Sequence, residues 1–188
     1  MPDAISTQLW NRIKRLLPRS HDPTLVLLKG HLLVEEQLFA CIAAHCRDAT
    51  KLEDARLTFA QKLRLAQALC GGLSVAHSLE KLNALRNRMA HRVEVPDFDS
   101  RLDDYLKAWA EDEFVQPKTR RERTRDLRNT LIIQIAMLAG MSEAAEYLGH
   151  TASHARRAYQ AAPGNGAMAS LSHAGRPRRA VPEQRRYA

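Results

Sequence analysis

Three side chains within six residues could do proton and phosphate chemistry together. They are Arg86, Asn87 and His91, in the stretch Leu82-Asn83-Ala84-Leu85-Arg86-Asn87-Arg88-Met89-Ala90-His91. Histidine exchanges its proton near neutral pH, which suits general acid–base work. Arginine offers a planar cationic fork that matches two oxygens of a phosphate. On an ideal helix at ~100° per residue, His91 lies one turn past Asn87 on the same face, so Asn87 could fix the imidazole tautomer. Arg86 lies about 140° from His91. The two therefore need a long reach, a distorted helix end or a second subunit to act on one group. The bland reading of the same residues is that they cap carbonyls near a helix C-terminus and suit its dipole.

Other polar residues stand out from apolar surroundings. Glu35 and Glu36 interrupt the run LVLLKGHLLVEEQLFACIAAHC. Glu36 is the candidate partner for Arg86, although a solvent-facing role suits at least one of the two. Further on, Arg128, His150 and Tyr159 are spaced so that a His lies just over twenty residues after the Arg and a Tyr nine residues after that.

The elements that must position these groups read as helices throughout. Residues 5–17 carry Ile5, Leu9, Ile13 and Leu16–Leu17 at helical spacing, and Pro18 ends that segment. Asp22-Pro23 opens a second helix, with Asp as N-cap and Pro in the first turn, running to about Cys46. It is apolar on more than one face, as a central bundle helix is. Gly30 within it suggests close packing against a neighbour. Thr58 caps FAQKLRLAQALC, and Gly71-Gly72 breaks it. Ser74 begins the helix with Leu79, Leu82, Leu85 and Met89 on one stripe, and Ser100–Trp109 forms a short amphipathic one. Arg120 to Leu138 has a basic first half and an apolar second half, and Gly140 is expected to end it. Two short helices are expected at about 142–148 and 152–161. No strand pattern and no internal repeat is visible. The fold class is all-α: an N-terminal helix in 1–18, a bundle over 19–140, a short helical extension over 141–162 and a disordered basic tail over 163–188.

The ordered set GHLLVEEQLFACI, FAQKLRLAQAL and LNALRNRMAH resembles HEPN domains, over residues of about 20–112 with an extension toward 140. Those domains are helical bundles with an Arg, four to six residues, then a His, often with Asn directly after the Arg. The bare spacing arises by chance, and the three segments in order carry the likeness. The resemblance implies metal-independent RNA cleavage, in which the ribose 2′-hydroxyl attacks the adjacent phosphorus and leaves a 2′,3′-cyclic phosphate. It assigns His91 as base, Arg86 as phosphate clamp and Asn87 as orienting residue, with no cofactor. It also implies a homodimer with two motifs facing, and a toxin or phage-defence setting with a cognate antitoxin or other partner protein. Many HEPN-like domains are non-catalytic, so a regulatory module that binds protein or nucleic acid is the alternative. A second, weaker resemblance joins RDLRNT, LAGMSEAAEYLGH and ARRAY to the C-terminal end of tyrosine recombinases, with Arg128, His150 and Tyr159 in matching places. Arg125 and Asn129 depart from that pattern, and the family's earlier Arg and Lys have no visible counterpart. A DNA-binding remnant is what this likeness leaves open.

Composition sets the outer bounds. The chain has 188 residues and 45% apolar side chains, enough for one real core. Aromatics are only 5%, which favours helix packing over a β-sandwich. From Gln116 onward there are 13 Lys/Arg against 5 Asp/Glu, which accounts for the whole net charge of +8. A polyanion such as RNA is the usual partner of such a segment, and a solvated tail is the plain alternative. Three cysteines, Cys41, Cys46 and Cys70, without metal-ligand spacing suggest a reducing compartment. The N-terminus lacks the pattern of a signal peptide, and the apolar run Leu131–Met141 is short for a bilayer. The expectation is a cytoplasmic protein with no membrane partner.

Overall fold

The computed structural model describes residues 7–161 except Gly71, Val93 and Lys118. The element order is α1 (Thr7–Leu16), α2 (Pro23–His45), α3 (Thr50–Asp54), α4 (Phe59–Leu69), α5 (Ala76–Ala90), α6 (Phe98–Ala110), a 3₁₀ turn (Glu111–Glu113) and α7 (Arg120–Ala161). No strand occurs among the described residues. The chain divides into two compact units, Met1–Leu148 and Gly149–Ala188. The first holds α1 to α6 and most of α7. The second contributes, among the described residues, only the last turns of α7. The basic tail expected over 163–188 lies outside the described residues.

The caps explain most of the boundaries. Asp22 accepts from the Thr24 amide at 3.0 Å, with Pro23 in the first turn of α2. Thr58 and Gln61 form a reciprocal capping box at the start of α4, satisfying two amides that have no partner in the helix. Gly72, at φ +108, makes the turn after α4 in a conformation closed to most side chains. The helix expected from Ser74 begins at Ala76, and the one expected from Ser100 begins at Phe98. Single-turn α3 carries no apolar pattern that would have announced it.

Helix α2 lies at the centre, with Val26, Leu27, Val34, Leu38 and Ile42 inaccessible to solvent. Gly30 allows α7 to approach: a Cβ there would lie 2.9 Å from Leu131 Cδ2 and would meet Cδ1 of the same residue more closely still. Leu79, Leu82 and Leu85 form the buried stripe of α5, with Met89 half-buried at its end. Three buried polar groups link α5, α6 and α7. The Tyr105 hydroxyl donates to Gln134 at 2.7 Å, Gln134 Nε2 donates to Ser78 Oγ at 2.9 Å, and Ser78 donates to the Val75 carbonyl at 2.8 Å. Gln134, the polar interruption in the last apolar run, is thus satisfied at both ends of its amide.

One expectation fails. Gly140 does not end the last helix, and the two short helices placed at 142–148 and 152–161 are turns of one helix of 42 residues. A helical glycine costs about 1 kcal/mol relative to alanine. That is too little to break a segment whose flanking Leu138, Ala139 and Ser142 are buried. Among the described residues, Arg120–Thr151 of α7 is long and apolar enough to cross a membrane by length and composition. Its Leu127, Leu131, Ile135 and Leu138 are core residues of the bundle.

Candidate functional site

Helix α5 commits one face to the core through Leu79, Leu82 and Leu85. Asn83, Arg86 and Asn87 are left at its margin, the first two half-buried and the third exposed. Arg86 Nη1 donates to Asn87 Oδ1 at 3.2 Å. The structure therefore joins Arg86 to Asn87, whereas the pattern on an ideal helix joined Asn87 to His91. His91 is the C-cap of α5, at φ −110 and ψ 1, and its amide donates to the Arg88 carbonyl at 3.4 Å. Its side chain is exposed at the end of the helix and hydrogen-bonds to no other described residue.

Arg88, between them in sequence, does structural work. Its Nη1 donates to Asp97 Oδ2 at 3.1 Å, and Arg101 binds the same carboxylate. The Arg101 hydrogen bond, then the charges of Arg101 and Arg88, hold the Asp97 carboxyl below the usual range. This pairing ties the end of α5 to the start of α6. Beside it lies a cleft of about 410 Å³ lined by Thr24, Met89, Arg92, Phe98 and Arg120.

Beneath Arg86 lies a group the sequence did not single out. His31 of α2 is buried, and its Nε2 lies 3.2 Å from Asn83 Oδ1. The ring stacks on Phe59 at 4.5 Å between centroids. Its Nδ1 is buried without a hydrogen-bond partner, 3.9 Å from Glu35 Oε2. Glu35 in turn accepts from Lys62 of α4 at 2.8 Å. Burial, opposed by the Asn83 hydrogen bond and the Glu35 charge and assisted by the charges of Arg86 and Lys62, moves the imidazole below its ordinary value. The available signal was a lone histidine one turn before a glutamate, inside a helix otherwise apolar on several faces.

The secondary candidates fall elsewhere. Glu36 does not meet Arg86. Its carboxylate takes Arg12 Nη2 of α1 at 2.6 and 2.8 Å in a half-exposed pair. Adjacent helix residues point about 100° apart, so Glu35 faces the α4–α5 side while Glu36 faces α1. Arg128 donates from Nε and Nη2 to the Pro18 carbonyl, at 3.1 and 2.9 Å, and from Nη2 to the Ser20 carbonyl at 2.9 Å. It clamps the α1–α2 connection, so these donors are not presented to a DNA phosphate. His150 is exposed, and Tyr159 falls in the last turns of α7. A second cleft, of about 460 Å³, opens beside Arg128 and is lined also by His21, Arg121 and Arg125.

Among the described residues no group of three His, Cys, Asp or Glu is placed to hold a metal ion. The three cysteines are free. Burial pushes the Cys41 thiol up to about 12, and it donates to the Leu138 carbonyl at 2.9 Å. No protein-family model matches the chain, and no curated protein or solved structure matches it.

Proposed function

We propose that the protein is a cytoplasmic, metal-independent endoribonuclease of the HEPN type, in a toxin or phage-defence role, acting through Arg86, Asn87 and His91. The observation that carries this reading is the state of Arg86. Its guanidinium is half-buried, and its hydrogen-bond partner among the described residues is the neutral Asn87. Arg12, Arg88, Arg101 and Arg123 each sit on a carboxylate instead. A partly desolvated cation without a counter-ion is poised to bind an anion, and a phosphodiester fits its fork.

In the reaction His91 takes the proton of the ribose 2′-hydroxyl. The 2′ oxygen bonds to phosphorus, Arg86 stabilises the charge gathered on the phosphorane oxygens, and the 5′ oxygen leaves after gaining a proton from water. Asn87 orients Arg86, since it is Arg86 that Asn87 bonds. His91 is exposed at the helix end, so two 86–91 segments facing across a homodimer would complete one site.

The test is cleavage of mixed RNA by the purified protein in EDTA. His91→Ala should lower the rate by about 10²–10⁴-fold, as loss of a general base does. Arg86→Lys should also fail, because a point charge does not replace a planar fork. Products should carry 2′,3′-cyclic phosphate and 5′-hydroxyl ends, and DNA should be spared. Cleavage that survives His91→Ala would exclude the mechanism. If wild type cleaves no RNA, the non-catalytic binding module stands. The separation of His91 from the Arg86–Asn87 pair within one chain favours that second reading.

A further inference from the structure

The polar cluster around His31 has a feature that packing alone does not require. A fully apolar residue would fill the space against Phe59 equally well and would leave no buried nitrogen without a partner. Instead, the imidazole sits among three charged groups, each on a different helix. Glu35 faces it from its own helix α2, Lys62 from α4 and Arg86 from α5. Neutral Asn83 of α5 completes the shell.

Two arrangements of protons fit these positions. With the ring neutral and its hydrogen on Nε2, His31 donates to Asn83 Oδ1, and Nδ1 is a lone pair. Glu35 is then left to Lys62 at 2.8 Å. With the ring charged, Nδ1 becomes a donor aimed at Glu35 Oε2, 3.9 Å away. Glu35 would close on the imidazolium, Lys62 would lose its partner, and a new cation would stand beneath Arg86.

We propose that His31 is a positioning residue for Arg86 and that its protonation is an off-switch for the α5 site. Neutral His31 anchors Asn83, one turn before Asn87, and so fixes the helix face that presents Arg86 and Asn87. Charged His31 repels Arg86 and recruits Glu35, and the clamp is displaced. Burial and the two neighbouring cations make the ring harder to protonate than a free histidine, so the switch acts on the acid side of neutrality. Its consequence for catalysis rests on the ribonuclease reading. The switch itself does not.

The experiment is therefore built on the full chain without substrate. Histidine ¹⁵N resonances followed against pH should show His31 as the Nε2–H tautomer at neutrality, titrating below 6.5. The side-chain N–H signals of Arg86 and Asn87 should move with the same midpoint. Glu35→Gln should shift the midpoint down, because the attracting carboxylate is gone. Lys62→Met should shift it up, because a repelling charge is removed and Glu35 is released. Arg86 signals that ignore the His31 midpoint, or midpoint shifts of the opposite sign, would overturn the proposal. If RNA is cleaved, a second arm reads activity. His31→Gln keeps a donor for Asn83 but cannot titrate, so the acid limb of kcat should lose one step while the His91 step stays. A folded His31→Gln with an unchanged acid limb would refute the switch even if cleavage is confirmed. Absence of cleavage would refute the ribonuclease reading and leave the resonance arm to decide.

Discussion

At the scale of single residues, an arginine's role follows from what its guanidinium is already holding. Arg86 and Arg128 are both half-buried, and sequence spacing nominated both. Arg128 spends Nε and Nη2 on the Pro18 and Ser20 carbonyls. Arg86 bonds only a neutral side chain among the described residues. Replacing Arg128 by alanine should consequently cost stability and leave RNA chemistry alone. Hydrogen bonds from a charged donor contribute about 1.5–3 kcal/mol each, so a loss of a few kcal/mol in denaturant unfolding is expected. Arg86→Ala should do the reverse, changing stability little while removing activity. Unfolding curves for the two variants, run beside RNA cleavage, check both halves. An Arg128→Ala protein of full stability would mean the carbonyl clamp contributes nothing.

At the scale of elements, two glycines in helices behave oppositely because of what stands opposite each. Gly30 faces Leu131 across the α2–α7 crossing, and that leucine is itself fully buried. A methyl group there must displace it. Overpacking costs typically about 1–3 kcal/mol, enough to offset the ~1 kcal/mol that a helical alanine gains over glycine. Gly140 meets nothing within 4 Å of a built Cβ, so alanine there should stabilise α7 by about 0.5–1 kcal/mol. Thermal melts should therefore move down for Gly30→Ala and up for Gly140→Ala. Two shifts of the same sign would contradict the packing described. The same contrast explains how the sequence reading fared. It took Gly30 as a close-approach site, which it is. It took Gly140 as a stop, and packing overrode a weak local preference.

For the whole molecule, the buried imidazole couples folding to pH. The folded bundle keeps His31 neutral below the pH at which a free histidine charges, so between the two values the unfolded chain binds more protons. Stability from this group is complete above 6.5 and is lost as pH falls from there through the folded value. Asp97, whose carboxyl is depressed by Arg101 and Arg88, adds a second loss further down, below 3.8. Denaturant unfolding followed from pH 8 to pH 5 should therefore show the midpoint falling on the acid side of neutrality. In His31→Gln that slope should flatten above pH 5. A wild-type midpoint flat across this range would show that His31 is not held neutral by the fold.

The sequence by itself determined the helices and the inner face of α5. Helical periodicity, the Asp22-Pro23 start, the Thr58–Gln61 box and the Leu79-Leu82-Leu85 stripe are local patterns, and each is where it was expected. It also nominated Arg86, Asn87 and His91, which the fold places on one element. Pairing was decided only by tertiary structure. Which of two adjacent glutamates meets α1, which arginine is spent on a loop, and which histidine lies under Arg86 depend on the rotation of α2 against α1, α4 and α5. A rotation of one residue, about 100°, exchanges the partners of Glu35 and Glu36. His31, Asn83 and Lys62 are far apart in sequence and carry no shared spacing. Only the burial of α2 in the bundle brings them together, and burial is also what gives a histidine among charges its altered chemistry.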